Sequence, residues 1–234
     1  MVFKKTTDLD KIKAKARVFA YIDIEFDDEN GLYVKHPYFK HVIDGLQVNN
    51  RVELIDLRKP EDLKRKREWL IGKIDSANTY SQLLSLFRTN FLPAFLKSTY
   101  YYLTNDEYSE ALAWIWTIVE SPNIDVNVKP KEFIRYFHSA SKEKLMDNRE
   151  YLAYTELPDK ITVYRGVNDN GSKNGLSWTT DLEKAVWFAT RFGGVPHVFK
   201  GNIQKEYILA YFLGRGESEV VIDYRMVTDL EEIK

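Results

Sequence analysis

The chain has 234 residues, 34 of them basic and 35 acidic, with 44% apolar and 29% charged side chains. That balance belongs to a globular chain and excludes disorder, and a net charge near zero points to neither nucleic acid nor a membrane surface. Cysteine is absent, so disulfides, thiolate metal centres and a cysteine nucleophile are ruled out.

The amino terminus, Met1-Val-Phe-Lys-Lys, leads into a charged stretch without the apolar core of a signal peptide. Nowhere does a run approach the ~18 apolar residues of a membrane span, so the expected location is the cytoplasm. Arg17 to Phe26 (RVFAYIDIEF) and Arg51 to Leu57 (RVELIDL) are β-branched and aromatic enough to predict strands, with Asp27 to Gly31 as a turn. Pro60 opens a charged helix to Ile74. Tyr80 to Leu103 predicts a second helical stretch, interrupted or kinked at Pro93. Thr104 and Glu107 have capping-box spacing ahead of a helix with Ala111, Leu112, Ile115, Trp116 and Val119 on one apolar face. Pro122 ends it. Pro130 suits a first helical turn, and Phe133, Ile134 and Phe137 form the buried side of the helix that follows.

From Lys160 the rhythm changes to short strands, at 161–167, 175–179, 198–203, 207–213 and 219–223, with one helix at 181–192. The expected class is α+β, with a mainly helical region over 1–150 and a strand-rich core over 151–234.

Three short motifs carry the candidate chemistry. In Val163-Tyr164-Arg165-Gly166, Arg165 ends an otherwise apolar row on a strand. It reads either as an edge or ion-paired arginine, or as a planar fork for phosphate or carboxylate, with Gly166 admitting a ligand close to the backbone. In Leu176-Ser177-Trp178-Thr179-Thr180, alternation sets Ser177 and Thr179 on one face and Trp178 on the other. Thr180, with Glu183 three residues on, has the spacing of a helix cap. In Gly214-Arg215-Gly216-Glu217-Ser218-Glu219-Val220, two carboxylates share one side of an extended backbone where a mobile loop enters an apolar strand. Glu219 is expected to be half buried there, where its ionisation and hydrogen bonds matter more.

Taken in order, Arg165, Ser177-Trp178-Thr179 and Glu217-Ser218-Glu219 resemble the Arg–Ser–Glu branch of the ADP-ribosyltransferase superfamily, to which the cholera-like toxins belong. The resemblance covers residues 160–234, and its wording is similar to small transferase-like proteins of bacteria and their phages. The sequence departs from the family pattern at Trp178, at Thr179 in place of a serine, and in the short gap between Arg165 and Ser177.

The resemblance implies an enzyme that breaks the nicotinamide glycosidic bond of NAD and passes ADP-ribose to a macromolecular acceptor, with protein arginine as the leading acceptor and a host or defence factor as its source. By the same resemblance Glu219 and Glu217 are catalytic, Glu219 under the ribose and Glu217 toward the acceptor. Ser177 orients Glu219, and Arg165 grips the pyrophosphate; Gly166 and Thr179 complete the NAD-binding set. NAD is then a co-substrate and no metal is needed; His36 and His41, five residues apart, stand without further ligands. An NAD glycohydrolase would use the same residues, and a non-catalytic nucleotide-binding module would keep the fold. Nucleic-acid binding is suggested only by Lys64-Arg65-Lys66-Arg67, a run that ordinarily marks a solvated helix face.

Overall fold

The computed structural model describes residues 1–27, 31–120, 125–169 and 171–233, and the chain divides into two compact units, Met1–Glu107 and Tyr108–Lys234. The class is α+β.

The first unit contains α1 (Leu9–Ala20), β1 (Glu25–Phe26), β2 (Val34–Lys35), β3 (Ile43–Val48), β4 (Arg51–Asp56), α2 (Pro60–Ser76), α3 (Tyr80–Leu84) and α4 (Leu92–Thr99). The strand expected over 17–26 instead begins as helix, since residues 17–20 form the last turn of α1. Asp8 caps α1 by accepting from the Lys11 amide, and Ile12, Ala16 and Ala20, spaced four apart, are fully buried. That helical period outweighs the β-preference of Val18 and Phe19, leaving only Glu25–Phe26 as strand. β4 falls within the segment expected at 51–57, but its partner β3 was not foreseen, because Asp44, Gly45 and Gln47 dilute its pattern. Asn49 and Asn50, with φ of 47° and 62°, close this hairpin in the left-handed conformation that tight hairpin turns require. Pro93 does not kink a long helix; it lies in the first turn of α4, where its missing N–H has no partner to lose.

Thr104 caps α5 (Asn105–Ile118) by accepting from the Glu107 amide at 3.2 Å, as its spacing predicts. Pro122, the expected stop, lies outside the described residues. The second unit continues with α6 (Pro130–Ser139), α7 (Lys142–Leu145), α8 (Asn148–Glu156), β5 (Lys160–Asn168), β6 (Ser177–Thr179), α9 (Leu182–Thr190), β7 (Pro196–Gln204), β8 (Ile208–Phe212), β9 (Glu219–Ile222) and β10 (Thr228–Glu232). Helices α6, α7 and α8 all contact β8. The compact units therefore divide at 107/108, ahead of position 150, where helices give way to strands.

Six strands form one antiparallel sheet in the order β10-β7-β5-β6-β9-β8. Val163, Val198, Ala210, Val220, Val221 and Ile222 are fully buried in it. β10 escaped sequence reading because Thr-Asp-Leu-Glu-Glu has no apolar alternation; it is an exposed edge, tied by Lys160–Asp229 and Lys200–Glu231 ion pairs. At the centre, β5 meets β6 through a single residue pair, Tyr164 with Thr179, whereas β5 and β7 pair along their whole lengths.

Candidate functional site

A cleft of about 420 Å³ opens on the second unit beside that seam, within the ~300–1,000 Å³ typical of small-ligand sites. Arg165, Gly166, Ser177, Thr179, Glu217 and Glu219 all line it. Segments far apart in sequence thus converge because β6 lies between β5 and β9, with Tyr164, Thr179 and Glu219 in register across the three strands.

Arg165 is neither a solvated edge residue nor, among the described residues, part of an ion pair. Its Nε donates to the Ser172 carbonyl at 2.9 Å and its Nη1 to the Ser177 carbonyl at 2.5 Å. The guanidinium lies against Gly175, where a Cβ would come within 2.3 Å of Nη2. A guanidinium offers five N–H donors, so this anchoring fixes the plane and leaves donors for a ligand. Burial pushes its pKa down to about 10, with the Glu219 charge acting in the opposite direction, so it remains a cation at neutral pH.

Gly166 has a packing role besides its place in the cleft lining. A Cβ there would sit 1.7 Å from the Ala185 carbonyl oxygen, so α9 packing on β5 by itself demands a bare backbone at this cleft position. Helix α9 is capped by Asp181, whose carboxylate accepts from the Glu183 and Lys184 amides, rather than by Thr180.

The two hydroxyls of β6 differ. Thr179 is buried; its Oγ1 donates to the Glu217 carbonyl at 2.7 Å and accepts from the Asp181 amide at 3.0 Å. It therefore ties the turn before β9 to the start of α9. Ser177 is half-buried on the cleft wall, and among the described residues its hydroxyl makes no hydrogen bond. Trp178 points to the opposite face, buried, with its Nε1 donating to the Gly175 carbonyl at 2.8 Å.

Glu217 and Glu219 do not lie along one extended segment as expected. Gly214–Gly216 form a 3₁₀ turn, Glu217 is helical (φ −95°, ψ −15°), and Ser218 adopts φ 44°. A left-handed serine is held at a cost of about 1 kcal/mol or more, and the Thr180 amide bonded to the Ser218 carbonyl helps to fix it. The turn leaves Glu217 half-buried and Glu219 buried at 7% exposure, both on the cleft. Glu219 Oε1 accepts from Trp116 Nε1 at 3.0 Å.

Sequence reading placed Trp116 on the apolar face of α5, which is correct for its ring: it packs edge-on against Phe133 and Phe137. What it missed is the polar end, although a buried indole N–H ordinarily finds an acceptor. It also missed Phe188, Arg191 and Phe192, which line the cleft from α9 and just beyond it. There the Arg191 guanidinium stands 4.7 Å and 4.5 Å from the two phenylalanine ring centres.

His36 and His41 are not partners. His36 is buried in the first unit, its Nδ1 accepting from the Tyr38 and Phe39 amides, while His41 is exposed beside Tyr33. Among the described residues no group of three or more His, Asp or Glu side chains could hold a metal ion. No helix among them is long and apolar enough to cross a membrane. No protein-family model, curated protein or solved structure matches the chain.

Proposed function

We propose that the chain cleaves NAD at its nicotinamide glycosidic bond and transfers the ADP-ribose to a macromolecular acceptor, with protein arginine as the acceptor group. The observation that carries this reading is the meeting of Arg165, Ser177 and the two carboxylates Glu217 and Glu219 in one cleft.

The donor set fits such a substrate. Arg165 supplies an oriented cation for a pyrophosphate, and Phe188 and Phe192 supply flat apolar surface for heteroaromatic rings. Glycosidic cleavage builds positive charge on the ribose, and a fixed carboxylate beside that sugar lowers the barrier by stabilising the charge as it develops. Glu219 suits this task, being buried and oriented by the indole N–H of Trp116 on α5. Glu217, less buried and on the turn, suits the acceptor side, where a carboxylate holds a guanidinium and helps to remove its proton. Anchoring Arg165 on two carbonyls restrains the substrate and reduces the entropy lost on reaching the transition state.

The test is incubation with NAD labelled in the adenylate half, with and without a bacterial lysate. Label on protein that is released by treatments attacking arginine linkages supports the reading. Free ADP-ribose alone would make the protein a glycohydrolase, and intact NAD would leave the cleft as a binding module.

A further inference from the structure

Resting on that reading, we infer that Trp116, not Ser177, is the residue that positions the Glu219 carboxylate, and that the Ser177 hydroxyl is thereby left to bind substrate.

The geometry is specific. Trp116 Nε1 lies 3.0 Å from Glu219 Oε1, and both residues are buried, at 2% and 7% exposure. Away from water, a hydrogen bond from a neutral donor to a carboxylate is stronger than a neutral pair and fixes the oxygen it touches. The indole is itself immobilised. Its ring packs at 76° and 84° against Phe133 and Phe137 of α6, at centroid distances of 5.3 and 5.1 Å. Ser177 pairs with Val221 rather than with Glu219, whose partner across the strands is Thr179. The serine therefore sits a diagonal step from the carboxylate, and its hydroxyl is engaged by no described residue.

Among the described residues, the charged groups sharing the cleft with Glu219 are Arg165 on β5, Arg191 beyond α9, Glu120 beyond α5 and Glu217 in the preceding turn. None of them is a substitute for the indole, because a neutral donor orients the carboxylate without neutralising its charge. Full charge is what a developing cation on the sugar requires.

The experiment compares the parent protein with Trp116→Phe, with a form carrying benzothienylalanine at position 116, and with Ser177→Ala. The benzothienyl side chain keeps the indole's shape and replaces its N–H with sulfur, so packing survives where phenylalanine would leave a cavity. NAD cleavage is followed across pH, and NAD affinity is measured by calorimetry. The expected result for loss of the N–H is a ~10- to 100-fold fall in kcat with NAD affinity within about threefold of the parent. The acid limb of the rate profile should also move to higher pH, because removing a donor from the charged form raises a carboxylate pKa. Ser177→Ala should weaken NAD affinity more than it lowers kcat.

A benzothienyl form with parental kcat and pH profile overturns the inference while leaving NAD cleavage standing. So does Ser177→Ala lowering kcat at unchanged affinity. If the parent protein leaves NAD intact, the functional reading fails and this inference falls with it.

Discussion

The charged side chains of the first unit and those of the cleft in the second are used in opposite ways. In Lys64-Arg65-Lys66-Arg67 every charge is engaged within its own unit. Arg65 forms a two-pronged pair with Glu53, and Lys66 is buried against Asp44 at 3.2 Å and the Gly45 carbonyl. Arg67 donates to the Ile22 carbonyl and faces the Tyr21 ring, while Lys64 stands 3.9 Å from Glu68. A run that reads as a nucleic-acid patch is a set of structural contacts. In the cleft, by contrast, Arg165 is anchored by backbone carbonyls alone and the Ser177 hydroxyl by nothing described. Donors that are fixed but not satisfied are what a ligand site needs, because they lose little freedom when the ligand arrives.

Substitutions can break this contrast. The largest effect is expected from Glu219→Gln, which should cut NAD cleavage ~100- to 1,000-fold, about 3–4 kcal/mol of barrier, with melting little changed. Glu217→Gln should instead spare hydrolysis and depress transfer to arginine. Paired hydrolysis and transfer assays on the two variants decide it, and equal losses in both assays for both variants would remove the division of labour.

Acid should act on the first unit through His36. Burial first, and then the Arg67 and Arg88 charges, lower its pKa from 6.5 to about 4. A group whose folded pKa is depressed binds its proton more readily when unfolded. Its contribution is therefore present above pH 6.5 and lost as pH falls toward and through 4. The loss should reach about 2–3 kcal/mol, since protonating Nδ1 also breaks its bonds from the Tyr38 and Phe39 amides. Melting curves from pH 7 to 4 should show a shallower decline for His36→Gln than for the parent.

Lys66→Ala should cost about 2 kcal/mol, because it removes the buried ammonium that Asp44 and the half-buried Gly45 carbonyl share; chemical denaturation measures it. Lys64→Ala, at an exposed 3.9 Å pair, should change stability by less than ~0.5 kcal/mol. A larger loss there would mean that the helix face carries a contact beyond Glu68.

All the strands of the second unit but β10 were legible, because Ile161, Val163 and Val167, then Val198 and Ile203, recur as buried apolar residues along short β-prone segments, and Val220 to Ile222 is an apolar run. The residues of the candidate site were legible as motifs, and their convergence followed from strand order. Besides β3 and β10, three things were not legible. The first helix hides behind β-branched residues, since burial at four-residue steps decides its conformation. The packing constraint on Gly166 comes from α9, which lies outside the motif. The Trp116–Glu219 bond joins residues 103 positions apart, and an apolar stripe gives no sign of which ring edge meets a carboxylate.

The single residue pair joining β5 to β6 has a mechanical consequence. A sheet resists parting in proportion to the ladder bonds that must break together, and here the ladder is thinnest beside the cleft. On one side stand β10, β7 and β5, and on the other β6, β9 and β8, each block paired more extensively within itself. Under load, or in the spontaneous openings that let amide hydrogens exchange, the sheet should part first along this line. The floor of the cleft is thus a crack between two stiffer plates, with Arg165 on one plate and Glu219 on the other. A molecule gripping both would act as a staple across the crack, slowing exchange at Tyr164 and Thr179 while the outer strands hardly register its arrival.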